Sequence, residues 1–181
     1  MAIQEYLVLD REFCKKGCEE TIRNFLLTNS DTVRLTGIRE GEIGFFYFRR
    51  YDEKNLGVQK ILEHLKPDFI RKVVNNNRFT DIPQGGKREF DHYFYKLSTK
   101  MKRYFNEETL VWPMYPPVSK HFFSLQDPTF YKKGDMIGCV VTHERYVSLF
   151  LTPQQKKLLE KKGVKFYDNT CSCSCSCNKS H

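Results

Sequence analysis

The sequence has no apolar run long enough to cross a membrane. Its uninterrupted apolar stretches are only a few residues long, whereas a spanning helix needs roughly 20. The N-terminus also lacks the basic lead and apolar segment of a secretory signal. Ala2 stands where N-myristoylation requires glycine. We therefore expect a protein of the cytoplasm or nucleus, where cysteines stay reduced.

Fingerprints of common enzyme classes are also missing. The chain has no phosphate-binding loop, no dinucleotide-binding glycine pattern and no glycine–serine–glycine nucleophile elbow. The histidines at positions 64, 92, 121 and 143 are scattered, without a neighbouring nucleophile. We therefore assign no catalytic residue and predict a non-enzymatic protein. A small enzyme of unrecognised type, whose site only the fold assembles, is the alternative.

The composition is that of a folded protein. Of the 181 residues, 40% are hydrophobic and 29% are charged, which separates the chain from disordered sequences. We predict one globular domain over residues 1–168, with a candidate internal boundary at residues 82–86, where the sequence reads IPQGG. We predict that residues 169–181 are a flexible cysteine-rich tail, because their low complexity cannot pack a core.

Positive charge is concentrated in the second half of the chain. The formal net charge is +8, of which residues 1–51 contribute zero and residues 87–181 contribute +7. A basic half is typical of proteins that bind a polyanion such as RNA or DNA. Lysine-rich surfaces that serve only solubility are the alternative.

Hydrophobic periodicity predicts an α+β (or α/β) fold. The first half follows the order strand, helix, strand, strand, helix, over residues 3–9, 11–27, 32–38, 43–51 and 56–65. Pro67 then opens a further predicted helix, PDFIRKVV. In the second half we predict a long amphipathic helix over residues 87–105, because Phe90, Phe94 and Met101 recur at helical spacing. A hairpin (136–142 and 146–151), a helix that begins after Thr152 and a strand ending at Tyr167 follow.

The segment EIGFFYFRRY, residues 42–51, contains four consecutive aromatic residues followed by two arginines. Strand alternation sends Phe45, Tyr47 and Arg49 to one face. The order of elements over residues 3 to 65, with Gly44 before Phe45, resembles the RNA-recognition motif. This resemblance implies a ferredoxin-like sheet on which Phe45 and Tyr47 stack with bases, and Tyr6 on the first strand is the partnering aromatic.

These observations predict a non-enzymatic, nucleic-acid-binding regulatory protein, with RNA favoured over DNA. Basic residues of the second half supply the predicted phosphate contacts: Lys87, Arg88, Lys96, Lys100 and Arg103. The alternative is a protein-interaction factor that does not bind nucleic acid. The frequent use of Lys, Asn, Tyr and Phe is compatible with a viral accessory protein.

Four cysteines alternate with serine in the tail: Cys171, Cys173, Cys175 and Cys177. Soft thiolates at this spacing are candidate ligands for Zn(II) or Cu(I). S-acylation, which would anchor the protein to lipid, is a second interpretation. An unliganded polar tail is the third, and no cofactor is predicted elsewhere.

Replacement of both Phe45 and Tyr47 by alanine tests whether the aromatic strand binds bases. We expect weaker binding to single-stranded RNA with an unchanged thermal unfolding midpoint, because stacked bases contribute roughly 1–3 kcal/mol each. Fluorescence anisotropy and circular dichroism measure the two quantities. A collapse of stability would show instead that the two rings belong to the core.

Overall fold

The computed structural model describes residues 2–13, 15, 17–38, 56–75, 90–107, 125–141 and 146–167. Seven strands are present: β1 (Gln4–Leu9), β2 (Thr32–Ile38), β3 (Phe69–Asn75), β4 (Phe90–Lys96), β5 (Gln126–Lys132), β6 (Asp135–Val141) and β7 (Tyr146–Leu151). Five α-helices are described: α1 (Asp10–Phe13), α2 (Cys18–Asn29), α3 (Leu56–Leu65), α4 (Thr99–Glu107) and α5 (Pro153–Lys161). A 3-10 turn, Lys66–Asp68, joins α3 to β3.

The strands form one sheet in the order β1-β7-β6-β5-β2-β4-β3, and every neighbouring pair is antiparallel. The fold is therefore mixed α+β. Three strands separate β1 from β2, so the ferredoxin-like topology implied by the RNA-recognition motif is not confirmed. The predicted strand at residues 43–51 and the candidate boundary at 82–86 lie outside the described residues, and the single-domain prediction stays a prediction.

The two faces of the sheet differ in chemistry. Val33 and Leu35 of β2 point to the face on which the described helices pack, and both are fully buried. We call this the helix face. Arg34 and Thr36 point the other way, to a face that also carries His92, Thr129 and Ser148, as the strand registers show. We call this second face the polar face.

Helices α2 and α4 supply much of the core above the helix face. Ile22, Leu26 and Met101 are fully buried, and the ring of Phe105 lies 5.4 Å from that of Phe130 on β5. Burial of a leucine- or phenylalanine-sized side chain stabilises the fold by roughly 1.5–3 kcal/mol. The helix layer and the sheet therefore share one apolar core.

The predicted long helix over residues 87–105 is wrong in its first part. Phe90–Lys96 is the strand β4, paired with β2 on one side and β3 on the other, and α4 begins only at Thr99. Phe90 through Tyr95 are all buried. Because both faces of the strand are covered, the alternation of apolar and polar residues that is typical of a strand is missing from the sequence. Ser98 marks the true helix start, because its Oγ accepts a hydrogen bond from the Met101 amide at 3.1 Å.

Two further helix predictions need correction. The helix predicted over residues 11–27 is divided into α1 and α2 by Gly17, whose φ of +83° lies in the left-handed region. The segment PDFIRKVV contains only the end of a 3-10 turn before β3 begins at Phe69. Phe69, Arg71 and Lys72 pair with the β4 residues Tyr95, Phe94 and Tyr93 in turn, and such long-range pairing overrides the local helix signal.

Strand β5 was not predicted, because Asp127 and Pro128 are typical of a turn. The structure places both inside the strand, where the pairing with β2 shifts register between Arg34 and Thr36. Asp127 adopts a φ of +48° at this irregularity and is buried. A turn-like backbone is therefore accommodated within a strand.

The predicted hairpin near the C-terminus is confirmed as β6 and β7. Helix α5 is also confirmed, together with its capping box between Thr152 and Gln155. The predicted last strand is reduced to a single bridge, in which the Tyr167 amide donates to the Leu7 carbonyl at 2.7 Å. The bridge lies on the outer side of β1, so Tyr167 flanks the sheet at its β1 edge.

No helix in the described ranges has both the length and the apolarity that a membrane crossing demands.

Gly138 of β6 provides a test of the contact between α2 and the sheet. A Cβ at this position would lie 2.7 Å from the Ser148 carbonyl oxygen and 3.0 Å from Cδ2 of Leu26. We expect Gly138→Ala to lower the free energy of unfolding by about 1–3 kcal/mol, as overpacking does. Urea unfolding measures the change. Leu158→Ala is the control, since Leu158 is 52% exposed on α5, and an equal loss in both variants would contradict the packing argument.

Candidate nucleic-acid interface

An aromatic floor lies at the β3–β4 end of the helix face. Phe69 of β3 pairs with Tyr95 of β4, and their ring centroids are 5.9 Å apart in an edge-to-face arrangement. Tyr93 lies two residues from Tyr95 and shares its face. Both tyrosines are buried, whereas Phe69 is 46% exposed. Phe69 is therefore the ring of this floor that a ligand reaches most easily.

Helix α3 and the 3-10 turn form a wall beside this floor. Between the wall and the floor lies an open groove of about 620 Å³. Its wall residues are largely polar: Gln59, Lys60, Leu62, Glu63 and Lys66. Lys60 and Lys66 are exposed, and the Lys66 ammonium lies 3.5 Å from the Glu63 carboxylate. We call this space the α3–β3 groove.

A buried ion pair lies next to the floor of the groove. The Lys72 ammonium is 2.9 Å from Oδ2 of Asp91, a residue with no exposed surface. The Tyr93 hydroxyl donates to the same oxygen at 3.4 Å, and the Lys72 ammonium lies 5.0 Å from the Tyr93 ring centroid. A buried carboxylate needs such a partner, so Lys72 is held as a fixed positive charge beside Tyr93.

The structure brings some of the predicted phosphate contacts close to this groove. The Lys100 ammonium donates to the His64 carbonyl at 3.1 Å, which places it at the end of α3 that leads into Lys66. Arg103 is exposed on the same helix as Lys100, and Lys96 is exposed at the end of β4. Lys100 therefore lies near the groove, whereas Lys96 follows the alternation of Phe94 and points to the polar face.

Other predicted site residues are elsewhere or are not described. Tyr6 lies on β1, at the opposite edge of the sheet, where its ring is 4.7 Å from the Lys156 ammonium and 5.6 Å from the Phe166 ring centroid. Tyr6 is therefore not part of the groove. Several predicted residues fall outside the described ranges: Phe45, Tyr47, Arg49, Lys87, Arg88, Cys171, Cys173, Cys175 and Cys177.

The residues that form the groove were missed by the sequence reasoning. The sequence predicts a helix in PDFIRKVV, which contains Phe69 and Lys72. It places Tyr93 and Tyr95 within the predicted long helix over residues 87–105. Two signals were available in the sequence. Val73 and Val74 are β-branched and favour a strand, and the aromatic run FDHYFY is unusually rich for an exposed amphipathic helix.

The polar face carries a row of buried polar side chains across four neighbouring strands. Arg34 Nη2 donates to Thr129 Oγ1 at 3.0 Å, Thr129 pairs with Cys139, and Cys139 pairs with Ser148. In the next row Thr36 Oγ1 and His92 Nδ1 are 3.1 Å apart. Strained Asp127 lies at the bulge in this region. Bulges and strained residues are frequent near functional sites, which makes this row a candidate catalytic centre.

The state of Cys139 argues against thiol chemistry in this row. The pKa of its thiol is raised from 9.0 to about 12, chiefly by burial and also by the nearby Asp127 carboxylate, although Arg34 acts in the opposite direction. The thiolate is the reactive form of cysteine. Cys139 is therefore a protonated, unreactive group at neutral pH.

Within the described ranges, no three His, Cys, Asp or Glu side chains are grouped closely enough to hold a metal ion. The tail cysteines lie outside those ranges, so metal binding by the tail stays a prediction.

Comparison of the chain with protein-family profiles, with curated proteins and with solved structures finds no match.

Thiol labelling tests the protonated state of Cys139. We expect iodoacetamide to leave Cys139 unmodified at neutral pH in the folded protein and to modify it in denaturant, because unfolding restores the ordinary pKa. Peptide mapping by mass spectrometry separates Cys139 from the other six cysteines. Rapid labelling of Cys139 in the native protein would contradict this.

The same pKa shift has a consequence for stability. The unfolded thiol ionises near 9.0 and the folded thiol near 12, so the contribution to stability is complete below pH 9 and is lost as pH rises toward 12. We expect the free energy of unfolding of Cys139→Ala to fall less between pH 9 and pH 12 than that of the unmodified chain, as measured by urea unfolding at each pH.

Proposed function

We propose that this protein binds single-stranded RNA in the α3–β3 groove and is not an enzyme. The observation that carries the proposal is the half-exposed Phe69 ring, on an aromatic floor, beside Lys60 and Lys66 in a groove of about 620 Å³. Stacking surface and positive charge are the two components that single-stranded nucleic acid requires. The groove places both within one open site.

Stacking on Phe69 supplies the contact to the bases. Its ring is backed by Tyr95 at 5.9 Å, which fixes its orientation. An exposed aromatic ring contributes roughly 1–3 kcal/mol per stacked base and does not select among sequences. We therefore expect binding with little sequence preference.

Lysines on both sides of the floor supply the contacts to phosphates. Lys60 and Lys66 line the wall, and Lys100 lies at the end of α3. The pair formed by Lys66 and Glu63 is about three-quarters exposed on both side chains, and such a pair contributes little energy. Lys66 can therefore exchange Glu63 for a phosphate at small cost.

The wall also favours RNA over DNA. Gln59 and Glu63 line the groove, and an amide or carboxylate can accept a hydrogen bond from a ribose 2′-hydroxyl. This hydroxyl is the group by which proteins distinguish RNA from DNA. Stacking by Phe45 and Tyr47 stays a separate prediction, because both residues lie outside the described ranges.

Binding of fluorescein-labelled oligouridylate of about 12 nucleotides tests the proposal by anisotropy. We expect Phe69→Ala to weaken binding about 5- to 150-fold, which corresponds to the loss of one stacked base. Because Phe69 is 46% exposed, the unfolding midpoint should change little. The matched control is Leu158→Ala, at a 52% exposed apolar residue on α5.

The phosphate contacts are tested by the salt dependence of the same binding. Lys60→Ala combined with Lys66→Ala should lower the slope of log K against log salt by about 1.4, since each phosphate contact on a single strand contributes about 0.7. Lys161→Ala with Lys162→Ala, an exposed pair at the end of α5, removes the same charge away from the groove. Equal effects of the two double variants would reject a localised site.

A further inference from the structure

Helix α5 and the segment that follows it concentrate positive charge at one end of the sheet. Residues 153–167 contain five lysines and one glutamate, so they carry a net charge of +4, which is half of the +8 of the whole chain. Helix α5 packs against β7, and the Lys156 ammonium lies 4.7 Å from the Tyr6 ring centroid on β1. The charge therefore lies at the β1–β7 end, whereas the α3–β3 groove lies at the other end of the strand order.

Three of these lysines are exposed on α5 without a carboxylate partner: Lys157, Lys161 and Lys162. Among the residues that the structure describes, none of their ammonium groups forms an ion pair. The single glutamate of the helix is directed elsewhere, since the Glu160 carboxylate lies 3.6 Å from the Lys156 ammonium. The three charges are therefore available to an external anion.

An exposed leucine lies in the middle of these lysines. Lys161 and Lys162 follow Leu158 by three and four residues, and side chains at these spacings are neighbours on one side of a helix. Leu158 is 52% exposed, whereas the adjacent Leu159 is 2% exposed and belongs to the core. A single exposed leucine is ordinary on a protein surface. What distinguishes Leu158 is its position among cations that lack carboxylate partners.

We propose that this surface docks on an anionic phospholipid layer. The surface consists of Lys157, Leu158, Lys161 and Lys162, and we call it the α5 face. The ammonium groups contact the acidic headgroups, and Leu158 inserts toward the acyl chains, as in helices that lie in the membrane interface. Lysine stems are long enough to keep their charges at headgroup level beside an inserted apolar side chain.

The chemistry of the α5 face favours lipid over nucleic acid. Both ligands attract lysines, but single-stranded RNA also requires a ring on which bases stack, and the α5 face contains no aromatic side chain. An aliphatic side chain gains from an apolar layer beneath the charges, which an anionic lipid surface provides. Each lysine near such a surface strengthens binding about fivefold. With only three lysines and one leucine, we expect weak and reversible binding.

This proposal does not rest on RNA binding. The two sites use different residues at opposite ends of the strand order. Variants of the α5 face serve as controls for RNA binding, and variants of the groove region serve as controls for lipid binding. Failure of one function is therefore distinguishable from failure of the other.

Cosedimentation of the full chain with vesicles, under reducing conditions, tests the charge requirement. We expect binding to phosphatidylcholine vesicles that contain about one third phosphatidylserine, with release at high salt and no binding to phosphatidylcholine alone. Alanine at all three lysines of the α5 face should lower the partition coefficient about 100-fold. The matched control removes the same charge near the groove: Lys60→Ala, Lys66→Ala and Lys100→Ala. Equal losses in the two triple variants would overturn the assignment to α5.

Circular dichroism checks that the triple variant of α5 stays folded. This check is needed because Lys161 and Lys162 also lie at the C-terminal end of the helix, where positive charge stabilises the helix dipole. An unchanged spectrum together with lost vesicle binding supports docking through the α5 face.

A tryptophan at position 158 tests the insertion of the leucine. The unmodified chain contains one tryptophan, Trp112. We expect Leu158→Trp to bind the anionic vesicles more tightly and to show blue-shifted emission that brominated lipids quench, because tryptophan favours the membrane interface. Leu158→Glu should weaken binding at least tenfold. If Leu158→Trp binds the vesicles with the same emission as in buffer, the docking geometry is wrong.

Two further outcomes overturn the proposal. Absence of binding to the anionic vesicles at low salt would exclude lipid as the ligand of the α5 face. Loss of oligouridylate binding in the α5 triple variant, without vesicle binding by the unmodified chain, would assign these lysines to nucleic acid.

Discussion

Alternation of side chains along β2 is the constraint on which the rest of the structure depends. Val33 and Leu35 point to the helices and are fully buried, while Arg34 and Thr36 point to the polar face and are equally inaccessible. A one-residue slip of this central strand would exchange the two sets. It would place a guanidinium in the apolar core, and its desolvation would cost several kcal/mol. The register of β2 therefore fixes which face receives the helices, and hence where the α3–β3 groove forms.

Elements with a strong local signal were predictable. Helix α5 was identified because Thr152, Pro153 and Gln155 form its start within four residues, and the β6–β7 hairpin because short apolar strands surround a polar turn. Strand β4 was not predictable, because its residues from Phe90 to Tyr95 are buried on both faces. Phe90, Phe94 and Met101 satisfy helical spacing equally well, and only the long-range pairing with β2 and β3 decides between the two structures.

The candidate site was predictable only in its chemistry. Sequence reasoning predicted aromatic residues combined with basic ones, and of its predicted phosphate contacts Lys100 lies at the end of α3. It could not identify Phe69, because the environment of that ring depends on Tyr95, a residue 26 positions away in the chain. Local patterns carry no information about contacts of this kind, and the same holds for the Lys72–Asp91 pair. The burial of Arg34 and His92 on the polar face was equally unpredictable, because both are residue types that usually lie at the surface.

The bridge between Tyr167 and Leu7 fixes the last described residue of the chain beside β1. Tyr167 flanks β1, and β3 is the strand at the far end of the seven-stranded order. At a spacing of about 4.8 Å per strand, the two edges are roughly 29 Å apart. The last described residue of the chain therefore lies at the sheet edge farthest from β3 and its groove.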